Sequence, residues 1–218
     1  GSGLIAVLTP LLSSSLEPAR ARILKAALAA VGCAFGGAAL ALWLASDQIF
    51  SWLALGLLPF GAVELKALSL AFLCIPLAGL SGVLVAALVA QGRFVYGGLG
   101  TALFNLCVIA GLVAGSLLSD ALFLFCSMLV VGALARLGLH LWASRAEIRK
   151  LKYTSADFAS FPARSIIISA CGMAGLTVVP IGLRAFASGI EPGALTQLTL
   201  AIKLIEIPLT VVFWSIGI

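Results

Sequence analysis

Two charged residues, Lys203 and Glu206, interrupt the apolar run 198–214 of this sequence, and they are the first candidates for chemistry. They are three positions apart, so on a helix they share one face and can form an ion pair. A charged side chain at the centre of a bilayer costs about 2.5 to 3.5 kcal/mol, so such a pair must face a partner, a cavity or water. A lysine in a cavity can bind an anionic headgroup, and a neighbouring carboxylate can carry a proton or tune the lysine pKa. The alternative is a self-neutralising pair in a packed bundle.

Threonines extend the face that carries this pair. Thr196, Thr199 and Thr210 continue the spacing of three and four residues on both sides of it, which predicts a polar seam along an apolar helix. Pro208 removes one backbone donor and favours a bend beside the seam. The predicted substrate-binding residues are Lys203, Glu206, Thr199 and Thr196.

The composition of the chain shows whether this seam is expected in water or in a membrane. Hydrophobic residues make up 62% of the 218 residues, charged residues 10%, and the mean hydropathy is +1.22. A soluble domain has about 25% charged residues, so the composition indicates a membrane protein. The net charge of +5 comes from short segments between apolar runs, which argues against a nucleic-acid partner. Five cysteines inside apolar runs and a single histidine give no spacing for a metal site or a disulfide framework.

The apolar runs predict an all-α, polytopic membrane helix bundle of about six transmembrane helices. Only helices can pair every backbone group within one segment in hydrocarbon, and no barrel-like alternation is present. The chain is treated as a single transmembrane domain, 1–218, with an interfacial segment at 47–66. The predicted spans are 23–45, 67–90, 96–118, 121–143, 165–187 and 194–218.

Lysine and arginine residues in the connections predict the orientation. One side carries Arg20, Arg22, Lys25, Arg93, Arg145, Arg149, Lys150, Lys152 and Arg164, whereas the other carries Lys66 and Arg184. Because positive loops stay in the cytoplasm, the loop 144–164 is predicted to be cytoplasmic. Arg136 and His140, one turn apart near that end of the fourth span, are expected to extend toward the membrane surface. The pairs Gly32/Gly36 and Gly111/Gly115 predict close helix packing.

Two stretches resemble the MurJ/MviN lipid II flippases. "IPLAGLSGVLVAALVAQGRFVYGGLGTALFNLCVIAGL", 75–112, is similar to the region of family spans 4 and 5, with its asparagine-arginine-phenylalanine turn and a later asparagine. "GALTQLTLAIKLIEIPLTVVFWSIGI", 193–218, is similar to the eighth span, with its alanine-aspartate-arginine-leucine run followed by glutamate, an apolar residue and proline. The matching positions are Gly92, Arg93, Phe94 and Asn105 in the first stretch and Ala201, Ile202, Lys203, Leu204, Glu206, Ile207 and Pro208 in the second.

The resemblance implies a two-lobed transporter fold of fourteen helices, of which this chain covers the end of span 2 to span 8, an incomplete first lobe and the start of the second. It implies a multi-pass protein of the bacterial inner (cytoplasmic) membrane, not an enzyme, that flips undecaprenyl-pyrophosphate-linked peptidoglycan precursor, lipid II, to the periplasmic leaflet by alternating access. The expected partners are the bilayer and this lipid-linked oligosaccharide, and the complete transporter is expected to be monomeric. No cofactor or metal is expected, and coupling to an ion or to the membrane potential stays open.

The chain departs from the family pattern at three positions. Gly92 replaces the turn asparagine, Ile202 the aspartate and Lys203 the arginine. Lysine keeps the charge but loses the bidentate fork that suits a pyrophosphate. Two alternatives therefore stay open: a flippase for another undecaprenyl-linked polysaccharide precursor, and a non-transporting relative that acts in envelope assembly. Arg93, Asn105 and Pro208 are the weaker site candidates.

Overall fold

The computed structural model of the protein describes most of the chain up to residue 151 and short stretches after it. The described residues are 2–53, 62–117, 121–151, 164–168, 182–184, 187, 193–194, 196–202 and 204. They are almost entirely helical. The chain divides into two compact units, one of Gly1–Ser46 with Gly61–Met173, and one of Asp47–Phe60 with Ala174–Ile218.

Eight helices have both ends within residues 2–151, and unit 1, formed by Gly1–Ser46 and Gly61–Met173, contains seven of them. In chain order the helices are α1 (Ser2–Ser14), α2 (Glu17–Leu44), α3 (Ser46–Leu53), α4 (Ala62–Leu70), α5 (Cys74–Ala90), α6 (Val95–Leu117), α7 (Ala121–Ala143) and α8 (Arg145–Leu151). Helix α3 belongs to unit 2 apart from its first residue. A 3-10 turn, Ala71–Leu73, joins α4 to α5.

Four helical stretches of the described chain are long and apolar enough to cross a membrane. They are Glu17–Leu44, Leu65–Ala90, Val95–Leu117 and Ala121–Ala143. The protein is therefore a membrane protein built from helices. The predicted spans 165–187 and 194–218 lie largely outside the described residues, as does 54–61 in the predicted interfacial segment.

Helix boundaries differ from the predicted spans where charged residues occupy helix ends. Helix α2 begins at Glu17, six residues before the predicted span 23–45, with a proline in its first turn where no backbone donor is needed. Helix α4 begins at Ala62, inside the segment predicted as interfacial, and carries Lys66 exposed on its surface. Charged residues can extend a membrane helix past the hydrocarbon because their side chains reach polar surroundings.

The core of unit 1 forms around α5. Residues 81–88 of this helix are all buried, against α1, α2 and α7. Helix α1 contributes Leu4, Leu8 and Leu12, spaced four residues apart on one face. The other members of the buried cluster are Ala21, Ile23, Leu24, Ala27, Val31, Val83, Ala86, Ala87 and Leu151.

Glycines bring α6 and α7 into close contact. A Cβ at Gly111 would lie 2.7 Å from Met128 Cβ, and one at Gly115 would lie 3.1 Å from the Ala121 carbonyl oxygen. Both glycines are buried, so the predicted packing role of this pair is confirmed. The pair Gly32/Gly36 on α2 behaves differently, because a Cβ at Gly36 would meet no atom within 4 Å.

We expect Gly111→Ala to lower the free energy of unfolding by about 1 to 3 kcal/mol, because the Met128 Cβ cannot move without its backbone. Gly98→Ala on the same helix is the matched control, since its Cβ would meet nothing within 4 Å. Unfolding of the purified protein in detergent, followed by tryptophan fluorescence, measures both. Equal stability of the two variants would contradict the packing at Gly111.

Candidate functional site

The predicted substrate-binding residues fall in unit 2, where the structure describes part of them. Thr196 is exposed and Thr199 half-buried on the helical residues 196–202. Lys203, Glu206 and Pro208 lie outside the described residues. The polar seam therefore stays a prediction from the sequence.

Arg93 lies in the turn between α5 and α6 and joins it to the end of α7. Its Nη1 donates a hydrogen bond of 2.7 Å to the Ala143 carbonyl oxygen, at the last residue of α7. Its guanidinium carbon lies 4.6 Å from the centre of the Tyr96 ring, a cation–π distance. Tyr96 in turn meets the Trp142 ring edge-on, with 6.3 Å between centroids. A cation at the C-terminus of α7 also complements the helix dipole.

The conformation of this turn is set by Gly92. Its φ of 75° is in the left-handed region, which glycine adopts freely and asparagine more readily than other residues. The turn is closed by backbone bonds from Gly92 N to the Val89 oxygen, 2.9 Å, and from Arg93 N to the Leu88 oxygen, 2.9 Å. Glycine suits this position without strain, and asparagine accepts it at a smaller cost than other residues.

Asn105 lies on the outer face of α6 in unit 1. Its side chain is exposed, together with Thr101 and Leu106 on the same face. Asn105 and Arg93 are thus not brought together into one site within unit 1.

A buried polar cluster that the sequence pattern does not predict joins α5, α6 and α7. His140 is 0% exposed and Ser81 1%. The Ser81 Oγ lies 2.7 Å from His140 Nδ1, and His140 Nε2 lies 3.1 Å from the Tyr96 carbonyl oxygen. A carbonyl oxygen can only accept, so the Nε2 carries the hydrogen and the Ser81 hydroxyl donates to Nδ1. This arrangement satisfies a neutral imidazole at both nitrogens.

Gly100 of α6 makes room for the histidine. A Cβ at this position would overlap His140 Nε2 and would lie 3.2 Å from the Cγ of Arg136. Arg136 is half-buried, and its Nε is buried without a hydrogen-bond partner. The glycine therefore packs against two titratable side chains one helical turn apart on α7.

The expectation that His140 extends toward the membrane surface is wrong. The ring points inward because Ser81 and the Tyr96 carbonyl, on two other helices, supply both of its hydrogen bonds. Its partner Ser81 is 59 residues away in sequence, and a serine within a run of small residues gives no sign that it will meet a histidine. The available signal was the single histidine of the chain within an apolar run.

Basic side chains gather at the end of unit 1 where α1 ends, α2 begins and α8 packs. Lys25 Nζ donates to the Leu151 carbonyl oxygen at 3.1 Å, and Arg20 Nε donates to the Leu12 carbonyl oxygen at 2.8 Å. Lys150 lies 2.9 Å from Glu17, and the hydrogen bond to this carboxylate raises the pKa of the lysine. Both partners are exposed, so the pair adds little to stability. These contacts join the end of α1, the beginning of α2 and α8, and they gather basic residues at this end of unit 1, which we call the basic surface.

An apolar cleft of about 480 Å³ opens between α2 and the junction of α4 with α5. Its wall includes Gly36, Trp43, Phe72 and Pro76. Ser69 is the polar side chain of its lining, and its hydroxyl donates to the Leu65 carbonyl oxygen within α4. Among the described residues that line it, none carries a group suited to acid–base or metal chemistry. Across the described residues, His, Cys, Asp and Glu form no group of three that could hold a metal.

We expect Arg93→Ala to lower the free energy of unfolding by about 1 to 3 kcal/mol, because it removes a charged donor from the Ala143 carbonyl. Arg145→Ala is the matched control: Arg145 also lies over an aromatic ring, 5.5 Å from the centroid of Trp142, but is exposed. Its loss should cost about 0.5 to 1 kcal/mol. Detergent unfolding curves compare the two, and an equal loss would show that the hydrogen bond to α7 adds nothing.

No family model, curated protein or solved structure matches this chain. A function for the protein therefore has to be argued from its own residues and geometry.

Proposed function

We propose that this protein is a lipid-linked cell-wall precursor flippase of the MurJ/MviN kind, which moves an undecaprenyl-pyrophosphate-linked precursor across the bacterial cytoplasmic membrane by alternating access. The observation that carries the proposal is the run 198–214, where Lys203, Glu206 and Pro208 interrupt an apolar segment long enough to reach the bilayer centre. In this function the lysine binds the pyrophosphate and the glutamate tunes its charge.

The turn at Gly92 supports the resemblance. A left-handed residue is one that an asparagine accepts at small cost, so replacement of the family asparagine by glycine preserves the turn geometry. Arg93, the next residue of the motif, has a definite task there, since it binds the end of α7. The motif is thus consistent with a packing role, and it leaves substrate binding to the run 198–214.

The basic surface supports the proposed orientation. The described cations Arg20, Lys25, Arg93 and Lys150 all bond to groups at one end of unit 1. A cluster of this kind belongs on the cytoplasmic side of a membrane protein.

The runner-up is a flippase for another undecaprenyl-linked polysaccharide precursor. Lys203 and Ile202 favour it, because the resemblance implies an arginine and an aspartate at these two positions. A point charge tolerates more headgroup geometries than a guanidinium fork does. A non-transporting relative in envelope assembly would need neither charge.

Substitutions at Lys203 test the proposal in cells depleted of their own flippase. Lys203→Ala should reduce complementation about tenfold or more at unchanged membrane level, because a charge-assisted contact to the pyrophosphate is lost. Lys203→Arg should retain or raise activity, since it restores a bidentate donor. Lipid II accumulation and protein level in membranes are the measurements.

The double variant Lys203→Ala with Glu206→Ala is the control for this experiment. Full activity in the double variant would mean that the pair serves packing alone, and the pyrophosphate-binding role of Lys203 would fail. The flippase proposal itself fails if the parent protein, present in the membrane, does not complement either lipid II flipping or another undecaprenyl-linked pathway. Complementation of a different polysaccharide pathway, with no rescue of lipid II flipping, would favour the runner-up substrate.

The orientation is tested by cysteine labelling at both ends of α7. Ala121 is the first residue of this helix, and Ala146 follows its last residue by three positions. Both alanines are exposed, so either tolerates a cysteine. In a variant whose five native cysteines are replaced, an impermeant maleimide added to intact spheroplasts should label Ala121→Cys and spare Ala146→Cys. The reverse pattern would overturn the predicted orientation.

A further inference from the structure

We propose that His140 and Ser81 form a proton-binding site at the junction of α5, α6 and α7. His140 is the one histidine of the chain, it is fully buried within a helix long enough to cross a membrane, and it bonds to two other helices. An ionisable group inside a membrane span is expensive to keep, and its common uses include proton transfer in transporters. The link to transport rests on the proposed function, whereas the site itself rests on the described geometry.

The neutral state of the site is complete. The Ser81 hydroxyl donates to Nδ1 at 2.7 Å, and Nε2 donates to the Tyr96 carbonyl at 3.1 Å. No donor or acceptor of the ring is left unsatisfied in this state.

The protonated state can be satisfied by the same residues. When a proton from water binds Nδ1, this nitrogen becomes a donor, and the Ser81 oxygen has lone pairs to accept it. The serine hydroxyl hydrogen then turns toward the carbonyl of Leu77, four residues earlier on α5, which is a common acceptor for helical serines. The Tyr96 carbonyl keeps its bond to Nε2 throughout. A serine can reverse its bond in this way, and an alanine cannot.

The surrounding charges give proton binding a mechanical consequence. Arg136 lies one turn earlier on α7, and its Cγ packs at the same Gly100 surface as the ring, so a charged imidazole there repels a nearby cation. Arg93 is held by the Ala143 carbonyl and the Tyr96 ring, and Glu147 of α8 lies 3.5 Å from Lys150.

Helix α4, which also packs on α7, carries two further charges, Lys66 and Glu64. Lys66 is exposed, and the side chain of Glu64 lies outside the described residues. Of the charged residues described on these elements, Arg136 is the one whose side chain reaches the Gly100 surface that the ring occupies. Protonation therefore favours a looser fit of α7 against α5 and α6. In the proposed flippase this would make the proton the ion that biases one of the two access states.

Nitrogen-15 NMR of the full chain, labelled at histidine and purified in detergent with an affinity tag that lacks histidine, tests the site. The single imidazole gives one pair of ring signals. We expect one protonated and one bare nitrogen at pH 8 and two protonated nitrogens after acidification, with helix content by circular dichroism unchanged.

Ser81→Ala should weaken proton binding about tenfold. The charged ring would lose its bond from Nδ1–H to the serine oxygen, which is stronger than the bond that the neutral ring accepts from the serine hydroxyl. Arg136→Gln should strengthen it. Ser69→Ala is the matched control, a buried serine that bonds within its own helix, and it should leave the titration unchanged.

Two results would overturn the site: a ring that stays neutral until the helices unfold, or a Ser81→Ala titration equal to that of the parent protein. His140→Gln, which keeps an N–H donor for the Tyr96 carbonyl but cannot titrate, separates this inference from the flippase proposal. If His140→Gln transports with unchanged pH dependence, proton coupling is wrong and flipping stands. If the parent protein, present in the membrane, complements no undecaprenyl-linked flippase while the ring titrates as expected, flipping is wrong and the proton site stands.

Discussion

Close packing around α5 is the constraint on which the rest of unit 1 depends. In a bilayer, apolar side chains gain little by exchanging lipid for protein, so helices associate through van der Waals contact and hydrogen bonds. Residues 81–88 are buried throughout because α1, α2 and α7 surround them, and small residues such as Gly79 permit this approach. A Cβ at Gly79 would lie 3.0 Å from the Val31 side chain. Helix α5 therefore fixes the spacing of its neighbours, and the Ser81–His140 bond forms within that spacing.

The membrane-helix character could be predicted from the sequence because it depends on local composition. Helix α7 has the ends of the predicted span 121–143, and α6 differs from 96–118 by one residue at each end. Helix α2 begins at Glu17 because a charged first turn can extend beyond the hydrocarbon, which a hydropathy pattern does not register. The glycine pair of α6 was also predictable, since its partner helix follows directly in the chain.

The buried polar cluster could not be predicted because it depends on contacts distant in sequence. The distance of His140 from the end of its span does not determine whether its ring points to the membrane surface or into the bundle. The ring points into the bundle because it bonds to Ser81 and to the Tyr96 carbonyl. Arg93 illustrates the same limit. The resemblance made it a site candidate, whereas its bond to the Ala143 carbonyl gives it a structural task. For Lys203 and Glu206, outside the described residues, the sequence remains the sole argument.

The 3-10 turn Ala71–Leu73 divides the span Leu65–Ala90 into two helices, α4 and α5. Pro76 cannot donate the backbone bond to the residue four positions earlier, so the helix tightens just before it. Helix α5 packs against α1, α2 and α7, whereas α4 packs against α7 and borders the apolar cleft. The 3-10 turn interrupts the α-helical hydrogen-bond ladder, so the two halves of one span can follow different packing partners. A single membrane span therefore serves two packing surfaces, one in the centre of unit 1 and one beside the cleft.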